Sequence, residues 1–260
     1  MIKYQEKLKR QIDSLDGLPH SLILVGDIGA SFGEVCEYIS SKFGLVRYDI
    51  TDKVSDEYVN EILSSQTKSL YCVNIWDITT REQNILLKLF EEPTQYSYII
   101  LCSTNQDYIL DTIKNRGYIL KFERYSREQL REYIQGGLDT SNEKLILDIC
   151  TTPGLVEISN HTNMQALHDL CIKMVHNMGN ANFQNTLSIS NKINYSDLYD
   201  KYDLNLFILM LQYVILHSNI DNKDKLFLIT KNNLKYIQSS NNKQLIIEHM
   251  LIEMWRHFKN

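Results

Sequence analysis

NILLKLFEEPTQYSYIILCSTNQDYILDTIKNR, running from Asn84 to Arg116, decides how this chain folds. Ile85, Leu86, Leu89 and Phe90 recur at helical spacing, so the stretch opens as an amphipathic helix with Lys88, Glu91 and Glu92 toward solvent or a neighbour. Pro93 ends that helix, because proline restricts the residue before it. Tyr98 to Cys102 is continuously apolar, as expected of a strand covered on both faces. Beyond it, Ser103-Thr104-Asn105 leads into a short segment, Ile109 to Arg116, that carries one arginine. Upstream, Thr79 and Thr80 stand three residues before Glu82 and Gln83, and either pair makes a capping box that starts the helix.

Toward the N-terminus, Ile2 to Leu15 reads as a short helix, and the turn Asp16-Gly17-Leu18-Pro19 precedes a strand, Leu22 to Val25. Gly26-Asp27-Ile28-Gly29-Ala30-Ser31-Phe32-Gly33 follows and opens another helix, running to about Lys42. A strand, a glycine-rich turn and a helix form the setting in which backbone N–H groups cradle phosphates. The chemistry of G-x-x-x-x-G-K-S/T is missing from it: Ser31 stands for the last glycine, Phe32 for the lysine and Gly33 for the hydroxyl residue. A phenyl ring cannot neutralise a triphosphate as an ammonium does. Further strands are expected at Leu45 to Ile50, Leu70 to Ile75 and Tyr118 to Phe122, with a helix at Asp56 to Leu63 set by Val59, Ile62 and Leu63.

Together these motifs resemble the gamma/tau and delta-prime subunits of bacterial clamp loaders, which are AAA+ proteins. The family block N-A-L-L-K-x-L-E-E-P-P … T-N … L-P-T-I-x-S-R-C is matched by Asn84, Leu86, Leu87, Lys88, Glu91, Glu92, Pro93, Thr104, Asn105, Ile113 and Arg116. Leu18-Pro19-His20 through Gly26 is similar to the family lead-in L-P-H-A-x-L-F-x-G, in which Gly26 and Gly29 keep their places. Pro19, Pro93 and Pro153, the three prolines of the chain, all fall on proline positions of the pattern. The resemblance implies an α/β fold: a P-loop-type five-stranded parallel sheet domain over residues 1–123, a small helical lid over 124–161 and an all-helical collar over 162–260.

It also implies which chemistry has been lost. The second ATPase motif of the family ends in Asp-Glu, and those positions hold Asn74 and Ile75, which supply no carboxylate for magnesium or water. Asp77 aligns instead with the aspartate of the family's following pair. Thr104 and Asn105 take the sensor position, and with no competent phosphate site Asn105 is expected to satisfy backbone groups. The lid arginine of G-S-P-G-R is replaced by Leu155 in Thr152-Pro153-Gly154-Leu155. The family arginine that reaches into a neighbour's ATP site survives as Arg116, in Asn115-Arg116-Gly117; a surface arginine in a local ion pair is the plainer alternative.

A formal charge of -5 over 260 residues argues against a surface that is basic all over. Cys36, Cys72, Cys102, Cys150 and Cys171 are scattered singly in apolar runs and read as buried small hydrophobes; the clustered cysteines of the family's zinc module are missing. The seven histidines are dispersed, with His168 and His176 eight apart, so no metal site is expected. Ser126 opens a helix with a capping box to Gln129, ending at Gly136-Gly137, and Asn142 to Cys150 is a second helix. Met164 to His176, Asn182 to Ile193, Leu204 to His217, Lys223 to Ile237 and Lys243 to His257 read as successive amphipathic helices.

The role implied is that of a delta-prime-like, ATPase-inactive subunit, not itself an enzyme, that binds no cofactor and presents Arg116 to ATP held by a neighbouring subunit. Its implied partners are gamma/tau-like ATPase subunits, a delta-like subunit and, through the assembly, the sliding clamp and primed DNA. No apolar run is long enough to span a membrane, and the expected location is the cytoplasm. Two other functions compete: a delta-like module that binds and opens the clamp, and a weak ATPase.

Overall fold

A computed structural model describes residues 3–51, 53–134, 140–180, 203–239 and 242–258. The chain divides into two compact units, Met1–Tyr125 and Ser126–Asn260.

In the first unit, strands β1 (Ser21–Val25), β2 (Val46–Ile50), β3 (Ser69–Asn74), β4 (Ser97–Ser103) and β5 (Tyr118–Lys121) form one parallel sheet in the order β2-β3-β4-β1-β5. The five-stranded parallel sheet expected from the sequence is therefore present. Alternation along the strands deals their side chains to two faces. Leu22, Leu24, Leu70, Cys72, Ile100, Cys102 and Leu120 go to one face, where α1 (Glu6–Asp13) and α2 (Phe32–Phe43) cover them with Leu8, Ile12, Phe32, Val35, Cys36 and Ile39. Ile23, Tyr71, Val73, Ile99 and Leu101 go to the other, under α3 (Asp56–Ser64) and α4 (Thr80–Glu91). The central strands are buried on both sides, which is why they read as unbroken apolar runs.

Local chemistry sets the boundaries. Gly44, at φ +65, ends α2 in the left-handed conformation, its N–H donating to the Ser40 carbonyl. Of the two capping boxes the sequence offers, Thr79 with Glu82 is the one formed. Glu82 accepts from the Thr79 N–H at 2.8 Å and hydroxyl at 2.7 Å, and from the Val54 N–H at 3.1 Å. These bonds hold its buried carboxyl below the usual carboxylate range. Gln83 bridges the Tyr108 carbonyl and the Leu110 N–H, clamping the turn that follows β4. The expected segment Ile109 to Arg116 is only partly helical: α5 spans Asp111–Lys114, after a 3-10 turn at Gln106–Tyr108. The expected N-terminal helix is shorter as well, since Gln5 leaves the helical path to pair with the Glu123 backbone through its side-chain amide, at 3.0 and 2.6 Å.

The second unit is helical throughout its described residues. Its helices are Arg127–Arg131, Thr140–Ile149, Pro153–Asn160, Met164–Asn180, Leu204–His217, Lys223–Ser239 and Lys243–Phe258. Ser126 and Gln129 form the expected capping box, but the helix ends at Arg131; the Gly136-Gly137 stop lies outside the described residues, as does the helix expected at Asn182 to Ile193. Pro153–Asn160 was not anticipated from the sequence; Pro153 sits at its first turn, where a missing N–H costs nothing. Leu204–His217 packs against Met164–Asn180, Thr140–Ile149 and Lys223–Ser239, so its nearly all-round apolarity serves the interior. All five cysteines are buried and free, and burial pushes the Cys150 thiol to about 12.

Gly117 precedes β5 where a Cβ would lie 2.6 Å from the Ile23 δ-methyl and 2.7 Å from its γ1 carbon. Gly117→Ala is expected to cost about 1–3 kcal/mol by overpacking, and Ile23→Val, which deletes that methyl, should make the double variant less destabilised than the sum of the two. Denaturant midpoints of the four proteins check this. For Glu82, whose folded-state pKa is lowered, stability is fully present above the unfolded value and is lost as pH falls through the folded one. Glu82→Gln should flatten the acid limb of the stability curve, measured by urea unfolding from neutral pH down to about 3, below the ordinary carboxylate range.

Candidate functional site

The C-terminal ends of parallel strands are where open α/β sheets place ligand-contacting groups. Here β1, β3, β4 and β5 bring Gly26 to Gly33, Asn74 and Ile75, Thr104 and Asn105, and Phe122 to that one edge.

The loop after β1 is folded against itself. Gly26 donates to the Ser103 carbonyl at 3.1 Å, Ala30 to Asp27 at 3.0 Å and Phe32 to Ala30 at 2.8 Å. Gly29 supplies the turn with φ +77. A phosphate cradle needs such amides to point at the ligand, and these three are committed within the chain. Ser31, at the N-cap of α2, makes no capping bond; its hydroxyl is bound to that of Tyr125, which also meets Gln5, and burial raises the Tyr125 phenol. Arg47 donates to the Gly33 carbonyl at 2.9 Å and pairs with Asp49 at 2.8 Å and Glu37 at 3.5 Å, so this cation is already engaged.

Phe32 occupies the lysine position, with only 8% of its surface exposed. Its ring meets Phe122 edge-on at 5.0 Å between centroids and Trp76 at 5.7 Å, both within the favourable range for aromatic pairs. Phe122 also lies over Gly26, where a Cβ would come within 2.8 Å of its ring. Apolar carbon therefore borders the loop that in an ATPase meets a charged triphosphate. The sequence reading identified Phe32 but missed Trp76 and Phe122; their signal was an aromatic residue directly after the Asn74-Ile75 position and another at the end of the last strand.

The acid positions are equally changed. Asn74 donates from its amide to the exposed Asp77 carboxylate at 3.0 Å, and Ile75 is buried. Asn105 accepts from the Asp107 N–H at 3.0 Å and caps the following 3-10 turn. Leu155 is a buried residue of the second unit.

Arg116 lies at the other end of the sheet. Tyr118 is in register with Leu22, so Arg116 is level with His20, six residues before Gly26, or about 20 Å along the strands from it. Its side chain is 41% exposed, its Nη1 donates to the Thr112 carbonyl at 2.9 Å, and its Nη2 is 3.0 Å from a Glu91 carboxylate oxygen. The half-exposed arginine is thus in a local ion pair, turned away from its own loop.

Sheet order, loop position and helical second unit define an α/β protein of the AAA+ type. Residues 35–126 match the family described as DNA polymerase III, delta subunit. Among solved structures, the chain is similar to a DNA polymerase III gamma subunit-related protein from Thermotoga maritima, at 18% identity over 98% of this chain and 99% of that one, with a TM-score of 0.47. Two variants of Thermotoga maritima RuvB share the fold: one at 11% identity over 80% of this chain and 87% of its own, TM-score 0.51, the other at 13% over 82% and 87%, TM-score 0.50. None of the curated proteins matches the chain. No described helix is long and apolar enough to cross a membrane.

With three loop amides and the Ser31 hydroxyl already bonded, millimolar Mg–ATP should leave the melting temperature of the pure chain unchanged, since a ligand raises it only in proportion to ln(1 + [L]/Kd). Phe32→Lys should destabilise the protein by about 3 kcal/mol or more without creating that shift. Thermal melts of both proteins, with and without nucleotide, check the two statements together.

Proposed function

We propose that this chain is a delta-prime-like, ATPase-inactive subunit of a DNA polymerase clamp loader that donates Arg116 to the ATP site of an adjacent subunit. The observation that carries the reading is the division of the sheet into two unlike ends. At one, the chain's own phosphate loop is internally bonded and lined by Phe32, Phe122 and Trp76. At the other, a guanidinium stands half exposed with N–H donors to spare. An arginine brought to a triphosphate stabilises charge that develops on the transferred phosphoryl group, with no need for nucleotide in the donor subunit.

On this reading the neighbours are gamma/tau-like ATPases and a delta-like subunit, ATP is bound by those neighbours, and the assembly loads a sliding clamp onto primed DNA in the cytoplasm. Arg116→Ala should lower DNA- and clamp-stimulated ATP turnover at the neighbouring site, by as much as about 10³-fold, without dissolving the assembly. Steady-state ATPase assays and gel filtration of the reconstituted complex give both numbers. Unchanged turnover in an intact assembly would discard the arginine donation, and tight binding of the isolated chain to a sliding clamp would favour a delta-like role.

A further inference from the structure

Glu91 is the last residue of α4, and Glu92 is its C-cap. Two carboxylates at a helix C-terminus face the negative end of the helix dipole, a placement that by itself disfavours the helix. Arg116 answers the first of them at 3.0 Å. The same guanidinium is held from a second direction by the Thr112 carbonyl, which belongs to α5. Two anchors from two elements restrict a side chain that otherwise loses much rotamer freedom when it binds. A planar group fixed in this way presents its free N–H donors in one direction. Both partners remain about half exposed, at 41% and 46%, so the pair is weak enough to exchange its carboxylate for a phosphate.

We infer that Glu91 is a positioning residue for Arg116, holding the guanidinium beside the end of α4 so that it meets an incoming phosphate already oriented. The inference rests on the proposed donation of Arg116 to a neighbouring ATP site. Orientation acts on the transition state, so loss of Glu91 should lower kcat of the neighbouring subunit and leave KM for ATP nearly unchanged.

Phenylglyoxal, which labels accessible guanidinium groups, reads the pairing in the isolated chain, with Arg116→Ala identifying the labelled peptide. Labelling of Arg116 should be roughly two- to fivefold faster in Glu91→Ala than in the wild type, the range set by an exposed ion pair, and Glu91→Asp should be intermediate. In the complex purified through a tag on this chain, Glu91→Ala should lower kcat roughly two- to tenfold at constant KM, with Glu91→Asp recovering part of it. Circular dichroism and gel filtration should be unaltered, because both side chains are at the surface. Equal labelling rates would overturn the pairing. Faster labelling with normal kcat, where Arg116→Ala is still impaired, would overturn positioning and leave the arginine donation standing. If Arg116→Ala itself turns over normally, both ideas fall.

Discussion

The edge-on contact between Phe32 and Phe122 governs the character of this molecule. Where a P-loop ATPase places an ammonium beside a phosphate, two phenyl rings and the Trp76 indole meet next to a loop three of whose amides bond to their own chain. Aromatic pairs of this geometry add roughly 0.5–1.5 kcal/mol each beyond the area they bury. A charged ligand entering the same space would forfeit that contact. The fold itself rests on a sheet with two apolar faces that must stay covered, whatever stands at the loop.

A sheet of parallel strands has two chemically distinct ends, and in this chain they carry unlike residues. The ends where the strands finish are sealed by aromatic packing and by the Tyr125 contact to Ser31. The ends where they begin carry the half-exposed guanidinium of Arg116. A change at one end need not reach the other, since the two lie about 20 Å apart along rigid strands.

Much of this was legible in the residues. The apolar run at Tyr98 to Cys102, the stop at Pro93 and the Ser126 capping box each state a local rule that tertiary structure had no reason to override. The choice of Thr79 over Thr80 could not be read, because it depends on Glu82 also reaching the Val54 N–H from another part of the chain. The helix Pro153–Asn160 was hidden by a Pro-Gly pair that usually signals a turn. At the loop, the substitutions at Phe32, Asn74 and Ile75 were visible, but the two rings that complete the apolar lining, Trp76 and Phe122, come from stretches far from Phe32 in the chain. The Glu91 partner of Arg116 was hidden for the same reason: 25 positions separate the two in the chain, and only the packing of α4 beside α5 joins them.

Gly117 stands at the cysteine position of the S-R-C motif that the sequence resembles, and the side chain of Ile23 fills the space a larger residue would need. Replacing this glycine by any larger residue requires the Ile23 side chain on strand β1 to give way. The identity of the residue that enters β5 is thus tied to the side chain carried by the strand beside it.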